Sequence, residues 1–511
     1  MSRTFDKSKS STFGKYFANT EEIKKKAATY SLENHELKGA NIYSRRNFGG
    51  VPLSYDPQMK TVYVDDSDSH SLIIGSTGSK KSRLVAMPTV KILAEAKESM
   101  IISDPKAEIY KRTGQDLKNK GYKVIAIHLR EPKKGNTWNP LAIPYNFYCL
   151  GELDRAYEFA NDIAVNLSLI DKSQKDPFWD NSASSFFFGL IMLLFKYCKD
   201  YNKDSNYVNI ANILELRKII SVALFDRSDG TYSGTPEARA LISLAKKDPF
   251  IYSLLVGTLE TAAVTKAGIL SVFDQQMRTF AIQPTLLNML SGSDVIFDKI
   301  QEEPTAIFLI VPDEKTSYHN LVSLFVKQSY EYMIFNSQSK NIKDLDSIRV
   351  NYILDEFSSL PNIHDFPAMI TAARSRNIRF NLFVQSKHQL DLKYKEEADT
   401  IRANCSNWIF LVSRELSLLK EVSELCGEKR DNGASYPVLT ITDLQRLDKR
   451  AGEVLILSGR SKPLITNIPD ITEYDHDNFE EPDMQVRAIN ENGYRVSLDE
   501  VIKNELCDEI F

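Results

Sequence analysis

Residues 71–83 read Ser71-Leu72-Ile73-Ile74-Gly75-Ser76-Thr77-Gly78-Ser79-Lys80-Lys81-Ser82-Arg83, and the fold is decided here. The unbroken apolar run Leu72 to Ile74 suits a strand covered on both faces. The turn of small residues after it leads into Arg83 to Ala96, whose apolar positions recur with helical spacing. Strand, turn and helix in that order gather backbone N–H groups at a helix N-terminus, where the partial positive charge favours an anion. The residues nearly satisfy the phosphate-loop pattern G-x-x-x-x-G-K-[ST]. On that pattern Gly75, Ser76, Thr77, Gly78, Ser79 and Lys80 surround a β-phosphate, Lys81 reaches the β/γ oxygens and Ser82 ligates Mg2+. One position departs from it. Lys80 stands where the pattern has glycine, and its Cβ is expected to crowd the close approach of backbone to phosphate.

A phosphate loop needs an acidic partner, and one candidate lies far downstream. Val350-Asn351-Tyr352-Ile353-Leu354-Asp355-Glu356 is an apolar strand ending in two carboxylates. Phosphoryl transfer requires a charge clamp and an oriented water, so Asp355 is expected to hold the Mg2+ shell and Glu356 to polarise the attacking water. Ile378 to Val384 is another buried-strand candidate, with Gln385 at its C-terminal end. In a parallel sheet that end faces the ligand crevice, so Gln385 is placed to sense a γ-phosphate. Arg374 and Arg376 precede the same strand. Either can act across a subunit boundary as an arginine finger, or simply belong to a solvated basic loop.

These anchors sit within recurring β-rich runs. The first set is Thr61 to Val64, Leu72 to Ile74, Met100 to Ile102 and Lys123 to Ile127. The second is Ala306 to Val311, Val350 to Leu354, Ile378 to Val384, Trp408 to Val412 and Glu453 to Leu457. Continuous apolar runs point to a mostly parallel sheet in a doubly wound α/β core. Between Leu150 and Asp298 the periodicity is helical, as in LDRAYEFANDIAVNLSLI and GILSVFDQQMRTFAI. The expected order is a basic leader (1–50), a nucleotide-binding domain (51–149 and 299–468) interrupted by an all-helical domain (150–298), and an acidic tail (469–511).

Composition bounds the rest. The 511 residues are 42% hydrophobic and 26% charged, enough for a large core in more than one domain. A formal charge of −4 exerts no global pull on nucleic acid, so contact with a polyanion must be local. Residues 1–50 carry ten Lys/Arg against five Asp/Glu, and 470–511 carry thirteen Asp/Glu against three Lys/Arg, which suggests interacting or solvated ends. The five cysteines form no C-x-x-C pair and the seven histidines show no ligand spacing, so no structural metal is expected. Ser184 to Phe195 (SSFFFGLIMLLF) reads as a buried helix, being shorter than a membrane span, and the N-terminus lacks the apolar core of a signal peptide.

Several segments together resemble the TraG/TraD-type conjugative coupling protein family. They are SLIIGSTGSKKSR, ISDPKAEIY (102–110), TWNPL (137–141), DPFWDNSA (176–183), VPDEKTSYHNLVSLFVKQSY (311–330) and VNYILDEFSSLPNI through FVQSKHQL (350–390). They occur in the family's order over about residues 68–465. The resemblance implies a RecA-like motor domain that uses ATP and Mg2+, a helical domain that engages substrate, and a ring, usually hexameric, at the inner mouth of a type IV secretion channel. It implies partners: relaxase-bound DNA or a secreted protein, and channel components. By motif, Lys81 and Ser82 take the phosphate-loop roles, Asp355 and Glu356 the acidic roles, Arg374 the arginine-finger role and Gln385 the sensor role. Asp104 and Lys106 match the D-P-K segment and are assigned no step. Members usually begin with transmembrane helices, and none is readable here. The expected location is therefore cytoplasmic, at the inner face of a bacterial membrane, through a separate membrane-anchor subunit. Two other readings are a nucleotide-insensitive receptor with a degenerate phosphate loop and a cytoplasmic DNA-pumping ATPase.

Overall fold

A computed structural model describes residues 26–39, 47–168, 177–312, 314, 318–339, 347–431, 434–459, 461–475, 480–484 and 486. Most of the basic leader (1–25 and 40–46) and most of the acidic tail (476–479, 485 and 487–511) lie outside the described residues. So do Asp176, Asp313 and 315–317 of the quoted segments. The chain divides into two compact units. One collects the described residues of Met1–Ala126, Phe297–Asp313 and Ser329–Asp483, the other those of Ile127–Ile296, Glu314–Gln328 and Met484–Phe511.

The first unit is built on a nine-stranded sheet. Its strands are β5 (His70–Ile74), β6 (Ser99–Ser103), β7 (Lys123–His128), β10 (Thr305–Ile310), β11 (Val350–Leu354), β12 (Ile378–Val384), β13 (Cys405–Phe410), β16 (Glu453–Ser458) and β17 (Leu464–Asn467). They are ordered β17-β16-β13-β5-β12-β11-β6-β10-β7. From β13 to β10 every neighbouring pair is parallel, and β16 and β17 add an antiparallel edge. Every residue of β5, β6, β10, β11 and β12 is buried, as in strands covered on both faces, although Asn351 in β11 and Arg379 and Asn381 in β12 interrupt the apolar runs.

Register decides what happens at the strand ends. Val384 pairs with Ile74, and Leu354 pairs with Leu382 on one side and Ser103 on the other. The residues just beyond these ends are Gly75, Gln385, Asp355 and Asp104, so four candidate chemical groups from distant parts of the chain reach one edge.

Two expected strands lie elsewhere than in the parallel core. Thr61–Val64 is β4 of a separate antiparallel sheet with β1 (Ala28–Ser31), β2 (Leu37–Lys38) and β3 (Pro52–Asp56). The Asp56 carboxylate accepts the N–H groups of Gln58 and Met59, closing a tight turn that sends β4 back along β3. Glu453–Ser458 joins the main sheet, but antiparallel. The helix expected over Arg83 to Ala96 opens as a π-helical turn, Ser82–Ala86, before Met87–Glu95 continues as α-helix. Pro88 accounts for this, because it lacks an N–H and its ring would strike the carbonyl four residues back. Widening the preceding turn, so that Met87 N–H reaches the Ser82 carbonyl, relieves that clash.

The second unit is mainly helical. Its helices include Leu153–Ser168, Pro177–Asp200, Ile210–Ser221, Pro236–Lys246, Pro249–Leu259 and Ala263–Ala281. Two begin at an N-cap followed by proline: Thr235 accepts Ala238 N–H, and Asp248 accepts the N–H groups of Phe250 and Ile251. Pro177–Asp200, at 24 residues, is long and apolar enough to cross a membrane by length and composition. Here Phe186, Phe187, Leu190, Ile191, Leu194 and Phe195 are fully buried. Phe186 and Phe187 both pack edge-on against Phe273. The stretch read as helix throughout also contains a short hairpin, β8 (Leu224–Asp226) with β9 (Thr231–Ser233). A second hairpin, β14 (Glu428–Asp431) with β15 (Ala434–Pro437), belongs to the first unit.

Candidate nucleotide site

The loop after β5 is pinned to its neighbours before any side chain is considered. Gly75 N–H donates to the Val384 carbonyl (3.2 Å) and Ser76 N–H to the Val412 carbonyl (2.9 Å). A Cβ at Gly75 would stand 2.5 Å from the Ser79 hydroxyl oxygen, so only glycine lets the loop fold back over the strand end. The loop turns twice through left-handed backbone, at Gly78 (φ 73°) and at Lys80 (φ 69°). The second value adds a backbone reason to the sequence expectation of a glycine. Glycine suits position 80 because an L-residue there is strained by roughly 1–2 kcal/mol. The Lys80 ammonium points toward Asp470, 3.9 Å away, rather than into the loop.

Lys81 lies at the centre of the site. Its buried ammonium donates to the Gly75 carbonyl at 2.6 Å. Burial lowers its pKa, while the charges of Glu356 and Asp355 work in the opposite direction. The Ser82 hydroxyl donates to Asp355 Oδ2 at 3.0 Å, although 273 residues separate the two in sequence. Asp355 is buried, and its carboxyl is pushed up to about 6, first by burial and then by the adjacent Glu356 charge. Glu356 sits in left-handed backbone (φ 54°), with its N–H donating to Asp355 Oδ1. Both of its oxygens accept from Gln385 Nε2, at 2.6 and 2.5 Å. Gln385 Oε1 in turn accepts from the Thr77 hydroxyl at 2.7 Å. Ser386, next along, caps helix Lys387–Tyr394, which braces the Gln385 turn.

Thr77, Lys81, Ser82, Asp355, Glu356 and Gln385 are therefore brought together, and Arg374 is not. Arg374 lies at the opposite end of β12 from Gln385, about 20 Å away along the strand at 3.3 Å per residue. There its guanidinium pairs with Asp68 at 2.9 Å and is largely exposed. Arg376 shares that end.

Asp104 is a site residue that sequence reasoning left without a role. It follows β6 as Asp355 follows β11, and the register sets the two side by side. Its carboxylate accepts Tyr110 N–H at 2.8 Å, and burial pushes its pKa up to about 7. A cavity of about 30 Å³ opens between Ser82, Asp104, Lys106, Glu108, Asp355 and Glu356, room enough for a water. The available signal was the pattern that marked Asp355, an apolar strand ending in a carboxylate. Lys449, which donates to the Gly78 carbonyl at 3.2 Å, and Asp470, which binds Arg83 through both oxygens, carried no such signal.

The residues present fit a magnesium-bound phosphate ligand. The Ser79 hydroxyl is buried in the loop without a hydrogen-bond partner among the described residues. The 3.0 Å between Ser82 and Asp355 oxygens is close to the edge of an octahedron with bonds of about 2.1 Å, the geometry Mg2+ demands.

Known proteins are similar to this chain in family and in fold. A family model described as type IV secretory system conjugative DNA transfer matches residues 17–436. An uncharacterized Bacillus anthracis protein, pXO2-15, is 32% identical over 79 residues, 16% of this chain and 29% of that protein. The match thus spans less than a third of that relative. Among solved structures, the bacterial conjugative coupling protein TrwBΔN70 with sulphate superposes with a TM-score of 0.58 at 15% identity, covering 82% of this chain and 87% of that one. TrwB with the non-hydrolysable ATP analogue ADPNP gives 0.57 at 15% identity, again over 82% and 87%. TrwB with ADP and Mg2+ gives 0.57 at 14% identity over the same shares. At such identity these superpositions show a shared fold.

Proposed function

Because this chain belongs to the type IV secretory system conjugative DNA transfer family, we propose that it is a coupling ATPase: a phosphate-loop motor that receives relaxase-bound DNA, or a protein, and delivers it to a secretion channel. The observation that carries this reading is the Ser82–Asp355 hydrogen bond, with Lys81 on one side and the Gln385–Glu356 pair on the other. It joins a cation-binding hydroxyl and carboxylate to a buried ammonium at one end of a parallel sheet, where such sheets bind ligands.

Bound with Mg2+, ATP supplies the phosphoanhydride whose hydrolysis drives movement. Lys81 brings positive charge to the phosphates together with the loop amides, and Ser82 and Asp355 hold the cation. Glu356 orients a water and takes up its proton, and Gln385 stands between Glu356 and the loop. Arg374 cannot reach the site of its own chain and serves a neighbour's site in a ring, which we take to be hexameric. The helical segment engages the cargo, and a separate membrane-anchor subunit holds the ring at the inner face of the bacterial membrane. TrwB, onto which the chain superposes, is solved with ADPNP, with GDPNP and with ADP and Mg2+, which supports a Mg2+-bound nucleoside phosphate as the ligand.

The strained Lys80 favours a second reading, a receptor that docks cargo without using nucleotide. ATP turnover of the wild type and of Lys80→Gly, each with and without single-stranded DNA, separates the two. The motor reading expects Mg2+-dependent turnover that DNA increases and that Lys80→Gly raises or leaves intact. Absence of nucleotide binding in both proteins overturns it. Binding gained only with glycine establishes the receptor reading.

A further inference from the structure

Thr77, Gln385 and Glu356 lie just beyond the ends of three adjacent strands, β5, β12 and β11, and these side chains form one hydrogen-bonded chain. The Thr77 hydroxyl donates to Gln385 Oε1, and Gln385 Nε2 donates to both oxygens of Glu356. Resting on the reading of the site as a nucleotide-hydrolysing one, we propose that Thr77 is a positioning residue. Acting through Gln385 on Glu356, it makes the site distinguish a nucleoside triphosphate from a diphosphate.

A glutamine amide has an accepting end and a donating end, and its use depends on which way it faces. The Thr77 hydroxyl occupies the accepting end, so the donating end points into the site. In this state that end is spent on Glu356, and the bonds it gives to both oxygens compete with a water for their lone pairs. A terminal phosphate at the loop is a second anionic acceptor, and charge-assisted hydrogen bonds are the strong ones. Gln385 Nε2 then has a choice of acceptors, and turning toward the phosphate frees Glu356. A diphosphate offers no acceptor at that position, and Glu356 stays engaged. Thr77 tethers the amide while its other end swings. Because Thr77 sits in the loop itself, between Ser76 and Gly78, the tether moves with the loop that holds the phosphates.

Titration of the full chain with ADPNP and with ADP, each with Mg2+, tests this without requiring turnover. Thr77→Val removes the hydroxyl and keeps the shape. It should cut the preference for ADPNP over ADP by about fivefold to tenfold, the effect of losing one neutral hydrogen bond. ADP affinity should fall less than ADPNP affinity, Thr77→Ser should restore the preference, and in a Gln385→Ala background Thr77→Val should change that preference no further. Equal weakening of both nucleotides by Thr77→Val, or a further loss in the Gln385→Ala background, overturns the relay and leaves the phosphate-loop reading standing. A wild type that binds neither nucleotide removes that reading and the relay with it. Should Thr77→Val not fold, Thr77→Ala carries the same comparison.

Discussion

At the scale of single residues, two positions show how the same side chain reads differently in a sequence and in a fold. Lys80 was legible as a departure from the phosphate-loop pattern, but the reason for the pattern was not. The expectation was a Cβ pressed against phosphate, and the structure shows positive φ, a backbone property with no mark in composition. His70 gave no signal. It stands at the start of β5, fully buried, with Nδ1 accepting Phe380 N–H and Nε2 hydrogen-bonded to the Ile370 carbonyl. That pattern requires a neutral ring, and burial pulls its pKa from 6.5 down to about 4. Below pH 6.5 the unfolded chain takes up a proton that the folded chain refuses until about pH 4. His70 therefore contributes stability above pH 6.5 that is lost as pH falls through this window, up to about 3 kcal/mol. Denaturant titrations between pH 7 and pH 4 should show a shallower decline in His70→Gln than in the wild type. Parallel declines would show that the ring titrates normally.

At the scale of elements, β12 carries the most unusual residue of the core. Arg379 is 1% exposed near the start of a strand covered on both faces. Its guanidinium donates to Asn351 Oδ1 on β11, to the carbonyls of Gly49 and Ser67, and pairs with Glu98 Oε2 at 3.4 Å. Glu98 also accepts from Asn351 Nδ2 and Gly49 N–H. This network ties residues before β5 to the end of the sheet away from the nucleotide site. The strand was read correctly because IRFNLFV is mostly apolar, and its arginine was passed over because pairing partners at positions 49, 98 and 351 are invisible to local pattern. Removing one member of a buried pair strands the other charge, at a cost of about 3–5 kcal/mol. Glu98→Ala should lower stability by that amount in denaturant unfolding, and Glu98→Ala with Arg379→Met should recover much of it. A loss below about 1 kcal/mol for Glu98→Ala would mean that the carbonyls alone satisfy Arg379.

At the scale of the whole molecule, the sheet sets Arg374 at the end away from its own chain's candidate site, and the expectation for it was action across a subunit boundary. Its pair with Asp68 is exposed and worth at most about 1 kcal/mol, so it is readily given up to a stronger partner. If Arg374 completes a neighbour's site, two inactive variants should rescue each other. Arg374→Ala keeps Glu356, and Glu356→Gln keeps Arg374, so an interface between one of each contains a full set. ATP turnover of an equal mixture should exceed the mean of the two separate variants several-fold. A mixture that only averages them would place the arginine outside the chemistry.

The amino-acid sequence alone determined the parts whose physics is local. Apolar runs pointed to buried strands, the small-residue turn before Lys81 to a candidate anion-binding loop, and carboxylates at an apolar strand's end to a candidate cation site. Tertiary structure decided which parts meet, because strand order and register depend on packing between segments hundreds of residues apart. Pairing Leu354 with Ser103, and Val384 with Ile74, sets Asp355 beside Asp104 and Gln385 beside the loop. The same pairings leave Arg374 at the far end of the sheet.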